Sequence, residues 1–183
     1  GGLYLDVPHE LGSSAARRWI LAEAARRVQG GAEGEAVYSD LGYLIAGEML
    51  ARLAETTLDR VVASWVTEPL GIEPEVFYAG ALSPERRAEL SRTAPPTERC
   101  EWRGRVVRGE VHDENCAALG GVAGHAGMFG TAHGVAVFGR TMLDGLAGRS
   151  DFLSRDTLEG ALSERDGGSH RLGWDGKSGE PSA

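Results

Sequence analysis

Two stretches of this chain carry apolar residues at helical spacing. Between Ala15 and Gln29, Trp19, Ile20, Leu21 and Val28 stand among alanines and arginines, which are good helix formers. Ser13 and Ser14 precede the run as N-cap candidates, and Gly30, Gly31 and Gly34 end it. Between Leu41 and Ala54, the positions Leu41, Leu44, Ile45, Met49, Leu50 and Leu53 make a broad apolar face, the strongest helix signal in the sequence. Ser39 or Asp40 is its expected N-cap. Gly42 and Gly47 lie inside this helix, where they cost helical stability and permit close approach of another backbone.

Shorter helices are expected from Leu58 to about Glu68 after Thr57, with Pro69-Leu70-Gly71 as the stop, and after Ser83, where Pro84 fits a first turn. Two more are expected from Thr131 to about Gly145 and after Ser154, the latter with Leu158 and Leu162 inward. Strand signal is sparse. Pro95 and Pro96 make Arg92–Thr97 extended, and Arg105–Arg108 and Arg171–Trp174 read as short strands. Residues 1–12 read as irregular, and His112 to Gly130 as a glycine-rich loop. No internal repeat or domain boundary interrupts the chain, so residues 1–183 are expected to form one unit in which helices dominate.

Composition narrows the classes of partner. A hydrophobic share of 42% with 25% charged residues is that of a globular chain able to bury a core. A net charge of −8 disfavours nucleic acid and anionic membranes, both of which require a basic face. No apolar run approaches the roughly 20 residues that span a bilayer. Cys100 and Cys116 do not make a disulfide framework. The chain opens on Gly-Gly-Leu-Tyr and closes on a Gly/Ser/Pro-rich run, so a piece of a longer protein is expected.

Several groups could carry chemistry. Tyr38 immediately precedes the helix starting near Leu41; a tyrosine so placed can act as a general base if a cation lowers its pKa from about 10. Asp40, two residues on, can orient a lysine or a substrate amide, or simply cap the helix. His112, Asp113, Glu114, Cys116, His125 and His133 fall close together and offer zinc-ligand chemistry, but neither His-Glu-x-x-His nor Cys-x-x-Cys fixes several of them on one face; that His112 and Asp113 hold loop backbone groups, with His133 near a helix start, is the better reading. Gly124-x-x-Gly127-x-x-Gly130-Thr131 has the glycines of a phosphate loop without its lysine; tight turns under an active-site floor are the better reading. Cys100 and Cys116 have no histidine placed beside them by sequence. Trp102, with Arg103 and Arg105, suits a cleft rim or an exposed loop.

Tyr38-Ser39-Asp40-Leu41-Gly42-Tyr43-Leu44-Ile45-Ala46-Gly47 resembles the second motif of the serine β-lactamase-like family, Tyr-x-Asn followed by an apolar, glycine-containing helix. Pro69-Leu70-Gly71-Ile72 resembles the family's Pro-Leu-Gly-Met segment. Gly109 to Asn115 and Leu119 to Ala132 resemble its glycine-rich loop and the helix that follows. The ordered set, over roughly residues 35–175, carries the resemblance, which spans class C β-lactamases, DD-peptidases and related esterases and amidases. It implies an α+β, β-lactamase/transpeptidase-like fold in which this chain is mainly the helical middle.

By the same resemblance, Tyr38 is the catalytic tyrosine and Asp40 stands where the family has Asn. The implied parent is a serine hydrolase that acts through an acyl-enzyme on a β-lactam, a peptidoglycan-derived amide or an ester, with no cofactor or metal. Its substrate would be a small molecule or peptidoglycan-type compound, in the cell envelope or the cytoplasm, both of which hold family members. A non-catalytic binding module or pseudoenzyme is the alternative, and a zinc hydrolase built on His112–His133 the third reading. The family's Ser-x-x-Lys is missing: no serine here has a lysine three residues on, Ser14 being followed by Arg17, whose pKa is too high for a base. Lys177 is the only lysine. Lys177-Ser178-Gly179 matches the third motif's letters but lacks strand alternation around it. The 183-residue chain by itself is therefore expected to turn over neither nitrocefin nor p-nitrophenyl esters. Hydrolysis above the buffer blank by purified chain would contradict this.

Overall fold

The computed structural model describes residues 2–29, 39–164 and 171–176. These divide into two units, residues 2–29 with 39–131 and residues 132–164 with 171–176. In the first, helix α1 spans Ser14–Gln29. The Ser13 hydroxyl accepts from the Ala16 N–H at 3.1 Å, as expected of a cap. Its fully buried residues are Ala16, Ile20 and Ala24, at spacings of four. Val28, one of the apolar positions of the sequence pattern, is exposed.

Helix α2, Leu41–Leu53, packs against α1 through a narrower stripe than the sequence pattern suggests. Leu44, Gly47 and Ala51 are buried, whereas Met49, Leu50 and Leu53 are exposed. Small residues define the contact because another backbone passes directly over it. A Cβ on Gly47 would lie 3.0 Å from the Cα and N of Gly124 and from Leu58 Cδ2. A Cβ on Gly124 would run into the Tyr43 carbonyl oxygen. Gly42, the other helix glycine, faces open space, so close approach belongs to Gly47 alone of the pair.

Helix α3, Leu58–Val62, continues as a π-helical turn over Ala63–Thr67, and Gly71 at φ +68° completes the turn beyond. Thr57 precedes α3 in extended conformation but makes no side-chain cap. Helix α4, Pro84–Thr93, starts as expected, the Ser83 hydroxyl accepting from Arg86 N–H with proline in the first turn. It runs through Arg92 and Thr93, which the sequence reading made extended. The steric effect of Pro95 reaches back one residue only, to Ala94 at ψ 144°.

Two small antiparallel sheets complete this unit. Strand β1, Val76–Tyr78, pairs with β4, Met128–Gly130, in the register Val76↔Gly130 to Tyr78↔Met128. Strand β2, Pro96–Cys100, forms a hairpin with β3, Arg105–Arg108, the latter with the predicted bounds. Helix α5, Glu114–Ala118, lies within the stretch read as glycine-rich loop. The core joins Leu3, Ile20, Leu44, Val111, Cys116 and Leu119, drawing on α1, α2, α5 and the N-terminal turn Leu3–Leu5.

In the second unit, helices α6, Ala132–Leu146, and α7, Arg155–Leu162, pack on each other. The Ser154 hydroxyl caps α7 by accepting from Thr157 N–H, and Leu158 is buried against Gly145. Leu162, expected inward, is exposed. Arg171–Trp174 is a turn rather than a strand: Gly173 takes φ +76° and the Arg171 N–H donates to the Trp174 carbonyl at 2.7 Å. Among the described residues no helix is long and apolar enough to cross a membrane.

The two tight glycines should respond oppositely to the open one. Gly124→Ala is expected to destabilise by about 1–3 kcal/mol through overpacking. Gly42→Ala is expected to be neutral or to stabilise by up to about 1 kcal/mol through helix propensity. Thermal or denaturant unfolding of the two variants against wild type measures both.

Candidate active site

Asp40 is the residue immediately before α2. Its backbone is already helical, at φ −70° and ψ −19°, and its side chain does not cap the helix. Of the two expected caps, Ser39 takes the role, its hydroxyl accepting from the Leu41 N–H at 3.3 Å. The Asp40 carboxylate instead comes together with Asp113 and His125, the donor atoms of all three lying within 4.8 Å of one another.

Asp113 enters this group as the N-cap of α5. One of its oxygens, Oδ1, accepts from the Cys116 N–H at 2.6 Å and lies 2.8 Å from Nε2 of His125. Burial alone would raise the pKa of this carboxyl. The His125 and Cys116 hydrogen bonds, with the electrostatic influence of His125 and His112, outweigh it and hold the carboxyl below the usual aspartate value. Arg103 fixes the approach to α5 from outside, donating to the carbonyls of Val111 and His112 at 2.7 Å each.

His125 sits on a segment held at three successive points. The Tyr78 hydroxyl donates to the Ala123 carbonyl at 3.1 Å, Gly124 lies against Gly47 and Tyr43, and the Cys116 thiol donates to the Ala126 carbonyl at 3.2 Å. The imidazole side chain is only 4% exposed. Its Nδ1 has no hydrogen-bond partner. Burial, with the charge of Asp113 adding to it, pushes the Cys116 thiol up to about 12, so it stays protonated and acts as a donor rather than as a nucleophile. Burial likewise pushes the Tyr78 phenol up to about 12.

The grouping His112, Asp113, Glu114, Cys116, His125 and His133 is thus divided. Asp113 and His125 join Asp40, while Glu114 joins Glu98 and Cys100 of β2 in a second set of donor atoms within 4.8 Å. Cys116 is committed to the Ala126 carbonyl, and His133 belongs to the other unit. Either trio offers donors that a divalent cation accepts, though the first would have to give up the His125–Asp113 hydrogen bond as it stands. Gly124 and Gly127 serve packing: Gly127, at φ +110°, leaves no room for a Cβ against the Gly121 carbonyl. Trp102 packs edge-on to Tyr4, with the Arg103 guanidinium over its ring. Tyr38 and Lys177-Ser178-Gly179 lie outside the described residues.

Sequence reasoning weighed Asp113 and His125 as zinc ligands, and preferred for Asp113 the holding of loop backbone groups that its bond from the Cys116 N–H now shows, but it did not link the two residues to Asp40, about 70 and 85 positions away respectively. The available signal was local: Asp113 ahead of Glu114-Asn115-Cys116 is a good N-cap for a short helix.

The family model described as Beta-lactamase matches residues 2–178 of this chain. Among curated proteins, those named "Putative D-alanyl-D-alanine carboxypeptidase" from Salmonella agona (strain SL483), Salmonella newport (strain SL254) and Salmonella dublin are each 32% identical over 116 residues. That match covers 60% of this chain and 27% of each relative, so the chain spans about a quarter of the length of these relatives where it matches them. No solved structure matches the chain significantly.

The Asp113 pair carries a pH signature. Its carboxyl is held below the unfolded value, so the stabilisation is present at neutral pH and is lost as pH falls below the ordinary aspartate range near 4 and through the lower folded value. Asp113→Asn keeps a capping residue on α5 but removes the charge from the hydrogen bond with His125, and should cost about 1 kcal/mol at pH 7. It should also flatten the acid limb of unfolding free energy against pH. An unchanged acid limb would show that the carboxylate is not ionised by this pairing.

Proposed function

The chain belongs to the Beta-lactamase family, and from that membership we propose that it is a partial β-lactamase-like domain, residues 1–183, of a serine hydrolase that cleaves acyl bonds. The observation that carries the reading is the placement of Asp40. Ser39 rather than Asp40 caps α2, and the Asp40 carboxylate is gathered with a half-buried Asp–His pair at the start of that helix, two residues from Tyr38 in sequence.

In this reading a serine–lysine pair outside these residues supplies the nucleophile and a share of the base. The serine Oγ attacks the acyl carbon, and its proton passes to Tyr38 or the lysine. The leaving group departs with that proton, and water then attacks the acyl-enzyme, releasing the acid and regenerating the serine. Asp40 accepts a hydrogen bond from the lysine ammonium and keeps it beside the serine. Among substrate classes, a peptide ending in D-alanyl-D-alanine is favoured by the names of the relatives.

Intact-mass measurement of the full-length protein after incubation with a fluorophosphonate, and separately with a penicillin, tests this, with the 183-residue chain as control. An adduct is expected on the full-length protein and none on the chain; a penicillin adduct specifies the peptidase or lactamase branch. Tyr38→Phe in the full-length protein should slow acylation by about 100-fold or more. A folded full-length protein that takes neither reagent would instead be a non-catalytic binding module.

A further inference from the structure

We propose that Glu98, Cys100 and Glu114 form a zinc-binding clip that fastens the β2–β3 hairpin to α5. A carboxylate oxygen of each glutamate and the Cys100 Sγ lie within 4.8 Å of one another, all inside the first unit. The clip involves neither Tyr38 nor Asp40. It adds a structural ion to the protein and no step to acyl-bond cleavage.

Two of the donors share one face of a strand. Glu98 and Cys100 are two apart on β2, and side chains at that spacing point the same way. A β-bulge between Pro96 and Glu98 sets Glu98 opposite Val107, which is fully buried. A carboxylate is thereby placed on the side of the hairpin that packs inward. Its Oε1 is shielded from solvent and has no hydrogen-bond partner. An oxygen so placed calls for a compensating group. Two arginines of the hairpin are engaged elsewhere. The Arg105 guanidinium, across the hairpin from Cys100, meets Glu110 at 2.6 Å, and that of Arg103 donates to the carbonyls of Val111 and His112. The group beside Glu98 is instead a thiol: Cys100 is only 3% exposed, and its Sγ is aimed at Oε1 of Glu114, 3.8 Å away.

The donor set selects the ion. Calcium and magnesium take oxygen ligands, whereas a thiolate between carboxylates suits zinc. Zinc bonds sulfur at about 2.3 Å and a carboxylate oxygen at about 2.0 Å, which at a tetrahedral angle separates the two ligand atoms by about 3.5 Å. The Cys100–Glu114 distance is already close to that value. Rotation of the Glu98 side chain brings in the third ligand, and water takes the fourth position. As the sulfur–metal bond forms, the thiol proton leaves to solvent. The ion would join two segments that only a long sulfur–oxygen contact connects here, and one of them is the helix that Asp113 caps.

The test is titration of reduced, metal-free full-length protein with Co2+ and then Zn2+. A thiolate bound to cobalt gives a near-ultraviolet charge-transfer band that oxygen ligands do not. The band is expected to saturate at one equivalent and to disappear as zinc displaces cobalt. Cys100→Ala should abolish it and weaken zinc binding by about 100-fold or more, and Glu98→Gln should weaken binding by about 10-fold or more. Glu101→Gln, which neutralises an exposed carboxylate on the same hairpin, should change neither. Zinc should raise the thermal midpoint of wild type with increasing concentration and leave that of Cys100→Ala unmoved. If Cys100→Ala does not fold, Glu98→Gln carries the comparison, since it replaces an unpartnered carboxylate with an amide of the same shape. A wild type without the band, a band undiminished in Cys100→Ala, or wild-type zinc affinity in Glu98→Gln overturns the clip. None of these outcomes bears on adduct formation with a fluorophosphonate or a penicillin, so the serine-hydrolase reading stands or falls separately.

Discussion

Everything around the candidate site depends on two backbones meeting without side chains between them. Gly47 in α2 and Gly124 in the segment beneath it leave no room for a methyl group on either side. This contact brings the segment carrying His125 to the helix that begins at Asp40, and it explains why the buried stripe of α2 is Leu44, Gly47 and Ala51 rather than its larger apolar residues. Burial of bulk elsewhere, in Leu3, Ile20 and Leu119, supplies the apolar stabilisation. The glycine contact supplies little area and decides geometry.

Charge is arranged on top of that geometry. Asp113 is ionised in a half-buried position because it accepts from a helix N-terminus and from an imidazole. The neighbouring thiol and phenol, Cys116 and Tyr78, are driven the other way and stay protonated, so both are available as donors to the carbonyls that flank Gly124 and His125. The Asp113 charge is thus met by two hydrogen bonds, while the two groups that hold the segment around His125 are neutral donors.

Much of the helical architecture was legible because caps are local. Ser13, Ser83 and Ser154 each accept from the first turn they were expected to serve, and Pro84 sits where a first turn tolerates it. Strand pairing was less legible: β1 and β4 are three residues each and meet across about 50 positions, a long-range contact with no period of its own. Apolar pattern overstated burial at Val28, Met49, Leu53 and Leu162, since a helix that packs on one narrow stripe leaves the rest of its apolar face uncovered. For the site, the Tyr38-Ser39-Asp40 motif was readable as chemistry on adjacent residues. The convergence of Asp113 and His125 on Asp40 was not, because it is made by glycine contacts and an N-cap that bring distant segments together.

Because a single oxygen of Asp113 both starts α5 and meets His125, helix nucleation and site assembly share one atom. The two are therefore thermodynamically linked. A molecule that tightens the Asp40–His125–Asp113 group also suppresses fraying of α5, and the amide hydrogens of Cys116 and Ala117 exchange more slowly when it binds. Solvent exchange at a helix that never touches the ligand becomes a reporter of occupancy.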